Sequence, residues 1–73
     1  MKYAIEQRLR FIDFLLEHYG AINRNALIDY FGISVPQVSK DFKDYLKLAP
    51  DNMRYSVTKK SYIKNPEFIR YWK

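Results

Sequence analysis

Residues 23–47 read Asn23-Arg24-Asn25-Ala26-Leu27-Ile28-Asp29-Tyr30-Phe31-Gly32-Ile33-Ser34-Val35-Pro36-Gln37-Val38-Ser39-Lys40-Asp41-Phe42-Lys43-Asp44-Tyr45-Leu46-Lys47. Two short helices are spelled out here, with a stop between them. Asn23 is a good N-cap, and Arg24 to Tyr30 reads as a helix turning Leu27, Ile28 and Phe31 inward. Gly32 breaks it, since glycine alone takes a positive φ without steric cost. Ile33 is expected to plug the turn into the core. Ser34 is the next N-cap, and Pro36 falls in the first helical turn, where its missing N–H costs nothing. The second helix is expected to run to about Leu46 or Lys47. Two short helices joined by a glycine-bearing turn of about three residues form a helix-turn-helix.

At 100° per residue the second helix divides cleanly. Val38, Phe42 and Tyr45 share one face, flanked by Val35 and Leu46, and are expected to point inward. Pro36, Lys40, Lys43 and Lys47 stand opposite, with Gln37 and Asp44 on one shoulder and Ser39 on the other. Lysines facing water are ordinary on any surface helix; the helix-turn-helix setting is what gives them a use.

Upstream, Ile5, Leu9, Ile12, Leu16 and Tyr19 recur at helical spacing, which predicts an amphipathic helix from about Lys2 to Tyr19. Phe11 and Leu15 widen its stripe, and Gly20 suits a left-handed C-terminal stop. Ala21 and Ile22 are expected to form a brief extended segment. Downstream, Ala49-Pro50-Asp51-Asn52 reads as a loop. Met53-Arg54-Tyr55-Ser56-Val57 then alternates, with Met53, Tyr55 and Val57 on one side, and Tyr62-Ile63 is a plausible return strand. Asn65-Pro66 resembles a helix start, and Phe68, Ile69 and Trp72 then predict a short C-terminal helix with an apolar stripe. The expected fold is therefore mainly α with a small β-hairpin: a winged helix-turn-helix, three-helix core plus wing, with a short helix at the end. Residues 1–64 form the domain. Residues 65–73 are expected to pack back on it, to contact a second subunit, or to begin a linker.

Composition narrows the function. The chain has 73 residues, of which 48% are hydrophobic and 18% aromatic, enough for one compact core. It has no cysteine, hence no disulfide framework and no thiolate metal site. No apolar run approaches the roughly 20 residues of a membrane-spanning helix, and no signal-peptide pattern opens the chain, so a cytoplasmic protein is expected. The formal charge is +5. Acids and bases cancel over residues 1–20 and again over 21–52, whereas residues 53–64 carry Arg54, Lys59, Lys60 and Lys64 with no acid. Nearly all the excess thus falls on the expected wing.

A major groove about 12 Å wide admits one helix, whose N-terminal half reaches base edges. The candidates there are Ser34, Pro36, Gln37, Ser39, Lys40 and Lys43. Gln pairs with adenine, Lys donates to guanine, and Ser serves a base or a phosphate. Arg24, Arg54, Lys59, Lys60 and Lys64 are the candidates for backbone phosphates. Asp41 and Asp44 would repel phosphate, so they are expected to face away or to pair with lysines.

From Arg8 to Ile63 the sequence resembles the N-terminal winged helix-turn-helix of WYL-domain transcriptional regulators, especially the subgroup associated with bacterial phage-defence loci. Arg8-Leu9-Arg10-Phe11-Ile12, Ile22-Asn23-Arg24, Phe31-Gly32-Ile33-Ser34-Val35-Pro36-Gln37 and Leu48-Ala49-Pro50 with Tyr55 carry the resemblance. It implies a bacterial, nucleoid-associated repressor binding inverted repeats as a homodimer, with Ser34, Pro36, Gln37 and Ser39 at the groove. The C-terminal WYL domain of such regulators has no counterpart in these residues, so the chain is expected to be the DNA-reading module, excised or standing alone. No cofactor or small-molecule ligand is expected.

The competing reading is a winged helix that docks a protein and never meets DNA, since fold alone does not settle function. The all-basic wing and the lysine face argue against it. Catalysis is not expected: His18 is the one histidine, expected in an ordinary surface role, and nothing near it makes a nucleophile–base pair or a metal site. Gly20 and Gly32 are isolated, so no phosphate-cradling loop is present. Tyr19, Tyr30 and Tyr45 are expected on or near buried faces, which leaves too few tyrosines in one row for single-strand stacking.

Overall fold

A computed structural model describes residues 2–72. Helix α1 (Tyr3–Tyr19) buries Leu9, Ile12 and Leu16, and Gly20 ends it at φ 77, donating its N–H to the Leu16 carbonyl at 3.0 Å. Strand β1 (Ala21–Ile22) follows, then α2 (Arg24–Phe31) and α3 (Val35–Leu48). Both expected N-caps act as such. Asn23 Oδ1 accepts the Ala26 N–H at 3.1 Å, and Ser34 Oγ accepts the Gln37 N–H at 3.3 Å. Gly32, at φ 66, closes α2 with an N–H donated to the Ile28 carbonyl at 2.8 Å. Two αL residues of this kind would each cost a non-glycine side chain about 1 kcal/mol or more.

Strands β2 (Met53–Ser56) and β3 (Ser61–Lys64) form the hairpin, and β3 is the middle strand of an antiparallel sheet ordered β1-β3-β2. Tyr62 pairs with Ile22 on one side and Tyr55 on the other, and Ile63 pairs with Ala21 and Arg54. The Lys64 N–H reaches the Gly20 carbonyl at 2.9 Å, so the sheet is anchored to the end of α1. The apolar centre lies where α1, α3 and the sheet converge: Leu27, Val38, Phe42 and Met53 join the α1 residues there. The three-helix core and wing are as the sequence predicts.

Several expectations need correction. The short C-terminal helix does not form. Residues 65–72 make one turn, closed by the Phe68 N–H on the Asn65 carbonyl at 3.0 Å, and continue as an irregular strap along α1. The cause is a buried polar cluster that claims the strap's backbone groups. Asn52 accepts the Ile69 N–H at 3.0 Å and donates to the Ile69 carbonyl at 2.8 Å. The carboxylate of Asp13 accepts the N–H groups of Tyr71 and Trp72 at 3.0–3.1 Å. These bonds replace those a helix would make, and they fix an extended path. Tyr45 completes the cluster, donating to Asp13 Oδ1 at 2.5 Å while accepting from Asn52 Nδ2 at 3.0 Å. Burial, and then the hydrogen bond to Asp13, push the Tyr45 hydroxyl well above its usual pKa. No buried side-chain polar atom among the described residues lacks a partner.

Tyr19 and Tyr30 are 74% and 71% exposed, contrary to expectation. Gly20 turns the chain before Tyr19 can reach a neighbouring element, and Tyr30 stacks flat on Phe11 at 4.7 Å from outside the core. Val35, at the start of α3, is also exposed, as are Tyr55 and Val57, because the wing projects past the helices and leaves only Met53 of its alternating side beneath them.

Candidate nucleic-acid interface

Helix α3 presents Ser34, Pro36, Ser39, Lys40, Lys43 and Lys47 to solvent, as its periodicity predicts. Of its two acids, one is buried away from that face and the other is paired on it. Asp41 is fully buried and pairs with Arg8 of α1, its Oδ2 lying 2.6 Å from Nε, rather than with a lysine. Asp44 lies 3.4 Å from Lys40 at an exposed position, an ion pair of little energetic weight. Lys43, Arg24, Lys59 and Lys60 make no ion pair among the described residues.

Three of these free cations meet in one place. A groove of about 360 Å³ runs between the start of α2, the middle of α3 and the wing, with Arg24, Ser39, Lys43, Lys60 and Ser61 on its walls. Its floor is Val38, Phe42 and Tyr62, with Tyr55 at the side. Phe42 and Tyr62 pack ring against ring at 4.5 Å, and Tyr55 meets Tyr62 edge-on at 5.1 Å. Burial, and to a lesser degree the neighbouring Tyr55, raises the Tyr62 hydroxyl's pKa, so it stays a neutral donor at ordinary pH. Apolar floor and cationic walls suit a sugar-phosphate chain: the ring faces can lie under deoxyribose and Arg24 and Lys60 can meet phosphate oxygens, with Ser39 and Lys43 on the α3 side toward the bases.

The wing tip is built locally. Ser56 Oγ accepts the Lys59 N–H at 3.2 Å, the Ser61 hydroxyl donates to the Lys59 carbonyl at 3.2 Å, and Lys60 takes the left-handed conformation at φ 52. That turn throws the Lys60 side chain back toward α3.

The structure divides the basic run that the sequence presents as one cluster. Lys59 and Lys60 stand at the tip. Arg54 and Lys64 are at the base of the hairpin, where Arg54 donates to Asn65 Oδ1 at 2.6 Å and Lys64 lies over the Phe68 ring at 5.7 Å. Tyr62 faces Phe42, so strand alternation puts Ile63 and its partner Arg54 on the opposite side of the sheet, away from the groove. Gln37 is half-buried and donates its amide to Asp41 Oδ1 at 2.9 Å. Sequence reasoning missed Asn23, Tyr55 and Ser61 as groove residues, and it gave Arg8, named only among the residues that carry the resemblance, no role at the site. For Tyr55 the strand alternation was a usable signal. For Arg8, 33 residues from its partner, there was none.

Among the described residues no group of three His, Cys, Asp or Glu side chains could hold a metal ion, and no helix is long and apolar enough to cross a membrane. His18 sits on the surface beside Phe14, with Nε2 3.2 Å from a Glu17 oxygen.

The chain is similar to proteins named DNA-binding transcriptional repressor CapW. It is 51% identical to one from Escherichia coli (strain KTE188) over 61 residues, 84% of this chain and 20% of that protein. It is 45% identical over 67 residues to one from Pseudomonas aeruginosa, covering 92% of this chain and 22% of that one. With one from Stenotrophomonas maltophilia the identity is 41% over 68 residues, 93% of this chain and 23% of the other. The chain thus spans about a fifth of the length of the relatives it matches. A family described as the BrxR transcriptional regulator winged helix-turn-helix domain matches residues 4–72, nearly the whole chain. With the fold, the caps and the wing all in accord, this chain belongs to the family of BrxR-type transcriptional regulator winged helix-turn-helix domains.

Proposed function

We propose that this chain binds double-stranded DNA sequence-specifically through α3 and the wing tip, as the DNA-reading part of a transcriptional repressor. The observation that carries the reading is the groove between α3 and the wing. Arg24, Lys43 and Lys60 converge on it without carboxylate partners, while the acids of α3 are buried or paired. In this reading the leading half of α3 enters the major groove, where Ser34, Pro36, Gln37, Ser39, Lys40 and Lys43 address bases. Arg24, Lys59 and Lys60 hold phosphates, with Arg54 and Lys64 adding weaker attraction from the base of the wing. The repressor names of the relatives support the same role; in this reading the chain does no catalysis and works on the bacterial nucleoid in the cytoplasm. One module of this size buries a limited surface, so tight binding is expected when two copies meet on an inverted repeat as a homodimer.

Selection from a random duplex library, sequenced after retention at two salt concentrations, tests this directly. An enriched motif supports sequence-specific reading, and an inverted repeat in it supports the dimer. Salt-sensitive retention without a motif would reduce the function to DNA coating. No retention at low salt would refute the proposal and point to a protein partner.

A further inference from the structure

A glutamine on a recognition helix has three side-chain torsions and an amide that fits a site either way round. It can offer a donor or an acceptor to the same base atom, so alone it discriminates poorly. Gln37 is not left alone. Its Nε2 donates to Asp41 Oδ1 at 2.9 Å, one helical turn along. Asp41 is itself held in place: it is fully buried, and the guanidinium of Arg8 donates to both its oxygens, Nε to Oδ2 at 2.6 Å and Nη2 to Oδ1 at 3.3 Å. The Arg8 side chain is only 12% exposed, so the pair is shielded from competing water.

Chemistry then fixes the direction of the amide. A carboxylate held by arginine accepts hydrogen bonds and donates none, so the nitrogen of Gln37 must face Asp41 and the oxygen must face away. That Oε1 has no partner among the described residues and is not enclosed. The first turn of α3 therefore displays an oriented pair, an acceptor oxygen beside the second amide N–H.

We infer that Arg8 and Asp41 are a positioning pair that locks Gln37 to accept from a base amino group in the major groove. The inference rests on the DNA-binding reading proposed above. Adenine offers the matching pattern, an N6 donor next to the N7 acceptor. Guanine and thymine put a carbonyl oxygen where Oε1 needs a donor. Neither Arg8 nor Asp41 touches DNA in this arrangement; they set specificity through a third residue.

The test uses the whole chain as wild type, Gln37→Met, Asp41→Asn and the double variant, each titrated against duplexes differing at every position of the selected motif. Gln37→Met is expected to erase a preference for a base carrying an amino group at one position. Asp41→Asn lets the amide turn either way, and is expected to lower that same preference by roughly five- to 150-fold, the range a good bidentate contact spans. Other positions should keep their preferences. In the Gln37→Met background, Asp41→Asn should change nothing at that position. A motif indifferent to Gln37→Met would overturn the inference and leave DNA binding standing, whereas no duplex binding by the wild type would overturn both. An Asp41→Asn effect that persists in the Met background would mean a general structural role and refute the lock. Should Asp41→Asn fail to fold, the wild type decides by nitrogen-15 NMR. One protected and one exposed Gln37 amide proton support the lock, and a freely exchanging pair would refute it.

Discussion

Replacing Asp13 with asparagine keeps the shape of the side chain and changes only what it can accept. In the native cluster three donors aim at the carboxylate: the Tyr45 hydroxyl on Oδ1, the Trp72 N–H on Oδ2 and the Tyr71 N–H between the two. An amide has one oxygen. Turned toward the strap, it leaves the Tyr45 proton without an acceptor, because the Tyr45 oxygen is occupied by Asn52 and now faces a second N–H. Turned toward Tyr45, it sets its own NH₂ against two backbone donors. Either way one buried donor is orphaned, at about 1–3 kcal/mol, and the surviving bonds lose their charge assistance. A total near 3 kcal/mol is large beside the roughly 4–11 kcal/mol expected of a chain this size. With an unfolding entropy near 2 cal/mol/K per residue, it corresponds to a fall in Tm of about 20 °C. Trp72 is the only tryptophan and sits under Arg10, 5.6 Å from the guanidinium carbon to the ring centre, so its fluorescence reports the strap. Circular dichroism reports the helices. Asp13→Asn is expected to red-shift the Trp72 emission before the helices melt. A Tm within about 5 °C of wild type, with unshifted emission, would refute this account of what holds the strap.

The wing offers a cleaner dissection of affinity. Changing Lys59 and Lys60 together to alanine should weaken binding to all duplexes alike and flatten the salt dependence by about two; a changed motif would contradict a phosphate role. Lys60→Gly removes a side chain from the left-handed region, and is expected to raise stability by about 1 kcal/mol in urea titration while weakening DNA binding. Lower stability would mean the turn depends on the lysine itself. The Tyr45 hydroxyl, raised by burial, gives a pH signature. The folded form holds the proton more tightly than the unfolded chain, so this stabilisation is complete below the unfolded value of 10.0 and is lost as pH climbs above it, at up to about 1.4 kcal/mol per unit. Tyr45→Phe should flatten that decline, and an unchanged slope between the two proteins would rule Tyr45 out as its source.

What could be read from the chain beforehand was whatever is written in neighbouring residues. The caps Asn23 and Ser34, the stops Gly20 and Gly32, and the α3 face of Val38, Phe42 and Tyr45 all depend on spacings of a turn or two, and each appears where periodicity puts it. What escaped depends on partners far along the sequence. Asp13 looks like any surface acid of an amphipathic helix until Tyr71 and Trp72, 58 and 59 residues later, reach it with their N–H groups. Asp41 resembles an unwelcome charge on a DNA-facing helix until Arg8 is found beside it. The same blindness produced the false C-terminal helix, since Asn65-Pro66 followed by spaced aromatics is a fair helix signal that a long-range cluster overrides. At the site, the residue types were legible and the strand pattern already put Lys59 and Lys60 at the tip, but the convergence of Lys60 with Arg24 and Lys43, which lie far from it along the chain, was not.

The middle position of β3 has a consequence for any duplex the domain engages. Because β3 is stitched to β1 on one edge and β2 on the other, and to the end of α1 through Gly20, the base of the wing is tied to the helical core. In the proposed DNA-bound reading, α3 and the wing act as the jaws of a caliper whose width the sheet restrains. A duplex whose grooves do not match that width must itself bend or compress to fit, and base steps differ in how easily they do so. On the proposed reading, sequence preference then spreads to base pairs lying between the jaws that no side chain touches, and stiffness of the DNA becomes part of the code.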